Sequence, residues 1–294
     1  MSRPRVAFLG PAGTFTDEAL RASSPCQVDE LPRPTVHETV MAVQTGEADL
    51  AVVPIENSLE GGVGATLDAL AGEAERVRIA GEVVHPVSHC LVAAEALELG
   101  SVERVVSHPQ ATAQCAAFLR ERLPRAERVD VGSTAEAVRQ VLDAGGSWAA
   151  LASRLAAELY GAEVLAEGVE DHPHNRTRFV WLRPESSPSP FPDRGPQKTS
   201  IVFWGAGDAS PGWLVAVLGE LAERGVNLTR IESRPRRVRL GHYMFFCDLE
   251  GGQDEPAVRE ALRALAGHVE VVRVLGSYPG VSSREGRPEG GADR

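Results

Sequence analysis

Polar side chains precede an apolar strand in the segment HNRTRFVWL, His174 to Leu182. Asn175, Thr177 and Arg178 offer an amide, a hydroxyl and a guanidinium, which are groups suited to holding an oxygen-rich anion and to hydrogen bonding a leaving oxygen. On a regular strand Asn175 and Thr177 point to one face and Arg178 points to the other. Thr177 and Arg178 can therefore serve one pocket only if the backbone departs from a regular strand there.

Each of these residues also has a structural interpretation. Thr177 can be a β-branched residue favoured at a strand edge. Arg178 can form a surface ion pair with Glu170 or Asp171. If the strand is regular, one of the two residues is structural.

Further polar residues follow or precede predicted strands and helices. In open α/β sheets ligands bind at the carboxyl ends of strands, so these positions are candidates for the same site. Strand-end and helix caps are the alternative interpretation. The residues are Asn57 and Ser58 in VVPIENS, Ser107 and Gln114 in VVSHPQATAQ, and Ser133 and Thr134 in STAEAV.

A glycine turn, FLGPAGTFT, lies between the first strand and the first helix. It does not fit G-x-G-x-x-G, and the chain has no G-K-[ST], so we expect no dinucleotide or P-loop site. A tight turn with a free helix N-terminus remains, and such an N-terminus favours an anion.

The composition argues against several classes of partner. The net charge of −11 and the pI near 5.3 oppose a general affinity for nucleic acid or anionic membrane. The arginine-rich stretch 230–239 is expected to be a solvated hairpin rim. No stretch approaches the length of a membrane span, and a cytoplasmic location is the default expectation. The four cysteines lie far apart, so no disulfide framework is expected. Two pairs of nearby histidines, His85 with His89 and His172 with His174, lack a third ligand and are not expected on a helix, so we expect solvated or hydrogen-bonded histidines and no metal site.

A proline-rich segment divides the chain. Residues 183–197 hold five prolines and no apolar periodicity, which predicts an extended linker. Two ordered regions remain, residues 1–182 and 198–280, followed by a polar, glycine-rich tail at 281–294 that is expected to be disordered.

Both ordered regions mix strands and helices. In the first, strands alternate with helices, which predicts an α/β fold with largely parallel sheets and two lobes. The second reads strand, helix, strand, strand, helix, strand, which is a ferredoxin-like βαββαβ order.

The motifs together resemble those of the prephenate dehydratase family. GPAGTFT, PIENSLEGGV, SHPQA, STAEAV and NRTRF occur in that family's order along the first region, and LTRIESRP resembles the signature of the ACT regulatory domain that follows it there. The resemblance implies a two-lobed catalytic domain of periplasmic-binding-protein architecture and an ACT domain. It also implies that prephenate loses water and CO₂ to give phenylpyruvate, that no cofactor is needed, that phenylalanine is the effector, and that the chain forms a homodimer or homotetramer.

The resemblance also implies residue roles. Thr177 would act as the donor to the departing hydroxyl, and Arg178 would anchor the side-chain carboxylate. The remaining substrate contacts would come from Asn57, Ser58, Ser107, Gln114, Ser133, Thr134, Asn175 and Phe179. An acidic residue usual before the serine of STAEAV is replaced here by Gly132.

The effector site implied by the resemblance has two parts. Candidate contacts or supports are Gly212, Leu214, Glu232, Ser233 and Arg234. Trp213 stands where the ACT signature usually has alanine, so the pocket can be reshaped. Two other functions stay open: dehydration of arogenate, which carries an amine in place of the keto group, and a non-catalytic cytoplasmic amino-acid sensor.

Overall fold

A computed structural model describes residues 3–192, 195–205 and 210–280. The tail 281–294, which was expected to be disordered, lies outside the described residues. No helix among the described residues is long and apolar enough to cross a membrane.

Strands and helices alternate along the first region and recur in βαββαβ order after it. The strands are β1 (Arg5–Leu9), β2 (Asp29–Arg33), β3 (Leu50–Asn57), β4 (Gly61–Gly62), β5 (Val77–Pro86), β6 (Cys90–Ala93), β7 (Arg104–Ser107), β8 (Glu127–Asp130), β9 (Trp148–Ala152), β10 (Glu163–Glu167), β11 (Arg176–Pro184), β12 (Gln197–Trp204), β13 (Leu228–Pro235), β14 (Tyr243–Glu250) and β15 (Val271–Pro279). The helices are α1 (Phe15–Ser23), α2 (Val36–Thr45), α3 (Gly64–Ala71), α4 (Pro109–Gln114), α5 (Ala116–Arg122), α6 (Thr134–Ala144), α7 (Arg154–Tyr160), α8 (Trp213–Ala222) and α9 (Pro256–Leu265), with a short 3₁₀ turn at Leu99–Ser101.

The chain divides into two compact units. The first comprises residues up to Thr39, Val52–Gly61 and Val84–Phe179. The second comprises Val40–Ala51, Gly62–Val83 and the residues from Val180 onward. The sequence boundary at 183–197 is therefore not the boundary between these two units.

The first sheet has the strand order β2-β1-β3-β11-β5, with β4 paired to β3. Its inner strands are apolar runs, and Val6, Ala7 and Phe8 of β1 are fully buried. β2 pairs parallel to β1 but carries charged, exposed residues, which lack the apolar periodicity that predicts a strand. The order places the end of β3 beside the start of β11.

The second sheet, β10-β6-β9-β7-β8, is mixed. β7 runs parallel to β8 and β9, whereas β6 runs antiparallel to β9 and β10. The expectation of largely parallel sheets is wrong for this sheet. One face packs on α6 and α7 through Val138 and Ala156, and the other packs on α5 through Leu119.

Two elements of the first region differ from the expected pattern. The helix predicted over 109–122 is interrupted at Cys115, so α4 ends at Gln114 instead of carrying that residue in its first turns. β9 lies in the middle of the sheet and has the sequence WAALA. Because alanine is depleted in strands, its sequence does not predict a strand.

The third sheet is antiparallel, with the order β13-β14-β12-β15. α8 and α9 cover one face through a core that contains Val217, Leu221, Ala261 and Leu265. The ferredoxin-like prediction is confirmed, and with it the α/β class of the chain.

The proline-rich segment is held against the second unit. β11 extends to Pro184, and the ring of Phe191 meets the indole of Trp181 edge-on, with centroids 5.4 Å apart. The backbone N–H of Glu185 donates to the Arg76 carbonyl at 2.7 Å. These contacts give the described part of the segment a fixed course.

Candidate active site

A cluster of amide and hydroxyl side chains lies where β3 ends and β11 begins, within the first unit. Asn57 is the last residue of β3 and is 8% exposed. Its Nδ2 donates to Asn175 Oδ1 at 2.8 Å and to Thr177 Oγ1 at 2.9 Å. The chain thus brings together two residues that are 120 positions apart.

The orientation of the Asn57 amide is fixed by the backbone. Its Oδ1 accepts the N–H groups of Leu59 at 2.9 Å and Glu60 at 3.1 Å, so this atom is the oxygen. The other terminal atom is therefore the nitrogen, a donor only. An asparagine that hydrogen-bonds its own backbone two residues on is typical of a turn, and here the turn follows directly after the strand.

Thr177 is 8% exposed, and its hydroxyl oxygen accepts a hydrogen bond from Asn57. A hydroxyl carries one proton and two acceptor positions. Because Asn57 occupies an acceptor position, the proton of Thr177 can be directed to another oxygen. This arrangement allows the Thr177 hydroxyl to act as a hydrogen-bond donor.

Ser58 joins β3 to β11 through its backbone N–H and its hydroxyl oxygen. Its backbone N–H donates to the Arg176 carbonyl at 2.9 Å, and its Oγ accepts from the Arg176 N–H at 3.0 Å. Its hydroxyl proton is directed to Asn175 Oδ1 at 3.3 Å. Ser58 is exposed, so this side of the cluster is open to solvent.

Gln114 extends the cluster from the end of α4. Its Nε2 donates to Glu60 Oε1 at 3.0 Å, and its Oε1 accepts from Asn175 Nδ2 at 3.3 Å. The same oxygen lies 3.0 Å from Nε2 of His89. Five of the residues expected at the site therefore form one hydrogen-bonded group: Asn57, Ser58, Gln114, Asn175 and Thr177.

His89, which the sequence predicts to be a solvated or hydrogen-bonded histidine, belongs to this group. It is 2% exposed, and its ring meets Phe15 edge-on, with centroids 5.2 Å apart. Burial lowers the pKa of its imidazole, against the opposing effects of the Gln114 hydrogen bond and of the charges on Glu170 and Glu18. The ring is neutral near pH 7 for this reason.

Arg178 lies on the other face of β11. The strand runs regularly from Arg176, so Arg178 alternates with Thr177. Its Nε and Nη2 lie 3.1 and 3.0 Å from Oε2 of Glu56, the residue before Asn57 on β3. The carboxylate beside Arg178 is therefore Glu56, where the structural interpretation expected Glu170 or Asp171.

The other expected contacts do not join the hydrogen-bonded group. Ser107 is fully buried and donates to the Leu151 carbonyl at 2.8 Å, which ties β7 to β9. Ser133 caps α6 by accepting the N–H of Glu136, and Thr134 begins that helix. Phe179 is 2% exposed and packs in the core.

The glycine turn is closed by its own helix. The N–H of Gly13, whose φ is 86°, donates to Asp17 Oδ2 at 2.8 Å, and Thr14 caps α1 by accepting the N–H of Asp17 at 3.4 Å. The Gly13 carbonyl accepts from Ser153 Oγ at 2.7 Å. These contacts stabilise the turn and connect it to α1 and to Ser153.

The cysteines and histidines do not form a metal centre within the described ranges. Cys90, Cys115 and Cys247 are buried, and burial raises the pKa of each thiol, to about 11 for Cys90 and about 12 for Cys247. Thiols with such pKa values stay protonated at neutral pH and are poor nucleophiles. His85 pairs with Glu18 at 2.9 Å.

A pocket lies in the second unit, at the start of α8. Its cavity of about 190 Å³ is lined by Ser210, Gly212, Trp213, Leu214, Val215, Gly241, Tyr243 and Phe245. The indole Nε1 of Trp213 donates to the His268 carbonyl at 2.7 Å, and the ring meets Phe203. Trp213 is therefore anchored to its own domain and forms one wall of the cavity.

The residues of the β13 signature divide between two faces. Ser233 pairs with Phe245 of the pocket and is exposed, whereas Glu232 and Arg234 alternate to the opposite face. Arg234 donates to both carboxylate oxygens of Asp68 at 3.1 and 2.8 Å, and Arg237 adds a contact at 2.6 Å. Arg234 is therefore held in a bidentate ion pair instead of lying on a solvated rim, whereas Arg237, whose side chain is 76% exposed, agrees with that expectation.

Two residues of the hydrogen-bonded group, Glu60 and His89, were not predicted from the sequence to belong to the site. Glu60 stands in the quoted motif PIENSLEGG, three residues after Asn57, but an exposed glutamate gave no signal of its own. His89 lies four residues after His85, and the sequence predicts a solvated or hydrogen-bonded histidine there without indicating its partner. Its partner Gln114 lies 25 positions away, a separation that periodicity cannot detect.

The neutral state of His89 generates a prediction about pH. The pKa of His89 is lowered in the folded chain, so between that pKa and the ordinary value near 6.5 the unfolded chain binds the proton more readily. The contribution of the neutral His89 to the free energy of unfolding is therefore fully present above about pH 6.5. It falls as the pH drops below that value, by at most about 1.4 kcal/mol per pH unit. Urea denaturation at pH 7.5 and 5.5 measures this loss.

A matched variant isolates the histidine. His89→Gln removes the titrating group but keeps an N–H donor at a similar distance from the backbone. We expect its stability to fall less between the two pH values than that of the unaltered chain. An equal fall in both proteins would assign the pH dependence to other groups.

Comparison with known proteins identifies the family. The family model for prephenate dehydratase matches residues 6–187, and the model for the ACT domain matches residues 199–267. A prephenate dehydratase of Mycolicibacterium gilvum is 42% identical over 288 residues, which cover 94% of this chain and 91% of the relative.

Solved structures agree over nearly the whole chain. The crystal structure of a prephenate dehydratase from Arthrobacter aurescens in complex with L-phenylalanine has a TM-score of 0.85 and 38% identity, and covers 98% of this chain and 93% of its own. GqqA, described as a novel type of quorum-quenching acylase, has a TM-score of 0.83 and 35% identity, and covers 95% of this chain and 99% of its own. The chain belongs to the prephenate dehydratase family of enzymes, with an ACT domain following its dehydratase domain.

Proposed function

We propose that this chain is a cytoplasmic enzyme that converts prephenate to phenylpyruvate, with Thr177 as the donor to the departing hydroxyl. The observation that carries the assignment is the Asn57–Thr177 hydrogen bond, since it leaves the proton of Thr177 available to another oxygen. Family membership supplies the substrate class.

The chemistry requires little beyond positioning. The bond between the ring and its carboxylate breaks, CO₂ leaves, and the electron pair enters the ring. The hydroxyl on the opposite ring carbon leaves with its bonding electron pair and takes up a proton from solvent to become water, and the ring becomes aromatic. Aromatisation drives the reaction, so the protein's task is to hydrogen-bond the leaving oxygen and to hold the ring in place.

Thr177 performs this task as a hydrogen-bond donor. A threonine hydroxyl is a very weak acid, so it stabilises the departing oxygen instead of transferring its proton outright. The charge on that oxygen grows as the C–O bond breaks, and a donor aimed at developing charge lowers the barrier.

The neighbouring amides hold the substrate. Gln114 and Asn175 each have a second N–H that is not used in the contacts described above, and Ser58 stands at the solvent side of the group. The two amide N–H groups can hydrogen-bond the keto and carboxylate oxygens of the substrate's side chain. Arg178 is assigned to Glu56, and it serves to hold the ends of β3 and β11 together.

The ring carboxylate is better left without a cation. Its charge disappears as CO₂ leaves, so an arginine bonded to it would stabilise the ground state more than the transition state. The placement of Arg178 on the face opposite Thr177 suits this requirement.

We expect Thr177→Val to lower kcat about a hundredfold or more, because the variant keeps the shape of the side chain and loses the donor. Thr177→Ser should keep most of the turnover. Phenylpyruvate is followed by its absorbance in alkali, with prephenate and arogenate compared as substrates. Thr45→Val on the exposed side of α2 is the matched control.

Three outcomes would contradict different parts of the proposal. Turnover of prephenate no faster than its spontaneous conversion would overturn the enzymatic function. Near-normal kcat in Thr177→Val would overturn only the role of the threonine. Higher kcat/KM for arogenate would move the substrate to the amine analogue.

Phenylalanine is the proposed effector, bound in the cavity at the start of α8. The support is the ACT family match, together with the L-phenylalanine present in the related Arthrobacter aurescens structure. The cavity offers apolar side chains from Leu214 and Tyr243 beside the backbone of Gly212. Inhibition requires phenylalanine to bind two arrangements of the protein unequally.

The assembly is proposed to be a homodimer or a homotetramer. β13 is an edge strand, and Ile231 on it and Val215 on α8 are 44% and 75% exposed. Exposed apolar side chains beside an unpaired strand edge are suited to association with a second copy.

We expect phenylalanine to lower turnover and to raise the melting temperature of the protein. In Leu214→Asn, at least tenfold more phenylalanine should be needed for either effect, because the substitution places an amide in the apolar wall. Basal kcat should stay within about twofold. Val238→Asn, at a position that is 74% exposed, is the control. Absence of any response at millimolar phenylalanine would contradict the effector assignment.

A further inference from the structure

The Gln114 amide is fixed by a carboxylate. Glu60 Oε1 can only accept, so the Gln114 atom 3.0 Å from it is the nitrogen. The opposite atom of the amide is then the oxygen, and it faces His89 and Asn175. The contacts on both sides of Gln114 are consistent with this orientation and with no other.

The tautomer of His89 follows. An amide oxygen cannot donate, so Nε2 of His89 carries the proton of the neutral ring and donates it to Gln114. The ring has little freedom to turn away. It is 2% exposed, it meets Phe15 edge-on at 89°, and the backbone N–H of His89 is held by Glu170 at 2.8 Å.

Two further amides connect Gln114 to Thr177. Asn175 directs its Nδ2 to Gln114, so its Oδ1 accepts from Asn57. Asn57 in turn donates to Thr177. If the Gln114 amide turned over, its NH₂ group would face the donors of His89 and Asn175, and both hydrogen bonds would be lost. The other tautomer of His89 could accept from that NH₂ group, but it would leave an N–H at Nδ1, a buried atom without a hydrogen-bond partner among the described residues, so His89 opposes the reversal.

We infer that His89 is a positioning residue for the reaction: together with Glu60 it holds the Gln114 amide in place, and through Gln114 and Asn175 it supports the Asn57 amide that hydrogen-bonds Thr177. This inference rests on the proposed role of Thr177. His89 itself is placed behind the amides and touches no substrate.

Two substitutions separate the donor from the volume of the ring. His89→Gln keeps an N–H at about the distance of Nε2, and His89→Leu fills space without a donor. We expect His89→Leu to lower kcat about tenfold to a hundredfold, with a smaller change in KM, because the reacting groups are misplaced while the pocket persists. His89→Gln should recover most of the kcat. His37→Gln, on an exposed position of α2, is the control.

A double-mutant cycle with Gln114→Met distinguishes positioning from loss of stability. If His89 acts through Gln114, His89→Leu causes little further loss of kcat once Gln114 is replaced, although it still lowers the melting temperature. A merely structural histidine would lower kcat by the same factor in both backgrounds. Melting temperatures of all four proteins are measured alongside.

Three results would overturn the inference: normal kcat in His89→Leu, equal impairment in His89→Gln and His89→Leu, or a full additional loss in the Gln114→Met background. Failure of the proposed function is recognised separately, because it shows as absent turnover in the unaltered enzyme or as normal turnover in Thr177→Val.

Discussion

The amide of Asn57 is the constraint on which the site depends. Two backbone N–H groups, from Leu59 and Glu60, decide which of its terminal atoms is the oxygen. The remaining nitrogen can only donate, and it lies within 2.9 Å of both Asn175 Oδ1 and Thr177 Oγ1. An ordinary turn at the end of a strand therefore determines the direction of a hydrogen bond at a residue 120 positions away.

Strand alternation separates support from chemistry. On β3 and β11 the pair Asn57 and Thr177 lies on one face, and the pair Glu56 and Arg178 lies on the other. The ion pair keeps a guanidinium away from the hydroxyl donor while holding the strand ends together. β13 repeats the division, since Ser233 faces the side of the α8 cavity and Arg234 is bonded to Asp68.

The sequence predicted the parts of this arrangement that depend on local patterns. Apolar runs and caps predict most strands and helices, and alternation predicts that Thr177 and Arg178 lie on opposite faces of a regular strand. Glu56 as the partner of Arg178, and Glu60 and His89 as partners of Gln114, depend on long-range contacts. Ser107, Ser133 and Thr134 were grouped with the site because they stand at strand and helix ends, where the structure gives them capping and tying bonds.

The most direct test of this account is the kcat of Asn57→Asp. Aspartate keeps the shape of the side chain and the oxygen that accepts from Leu59 and Glu60, but it replaces the donor nitrogen with a second acceptor. Thr177 would then turn its proton to the carboxylate and could not donate to the leaving hydroxyl. The account predicts a loss of kcat comparable to that of removing the Thr177 hydroxyl, with the fold retained by circular dichroism. Normal turnover of prephenate by a folded Asn57→Asp enzyme would contradict it.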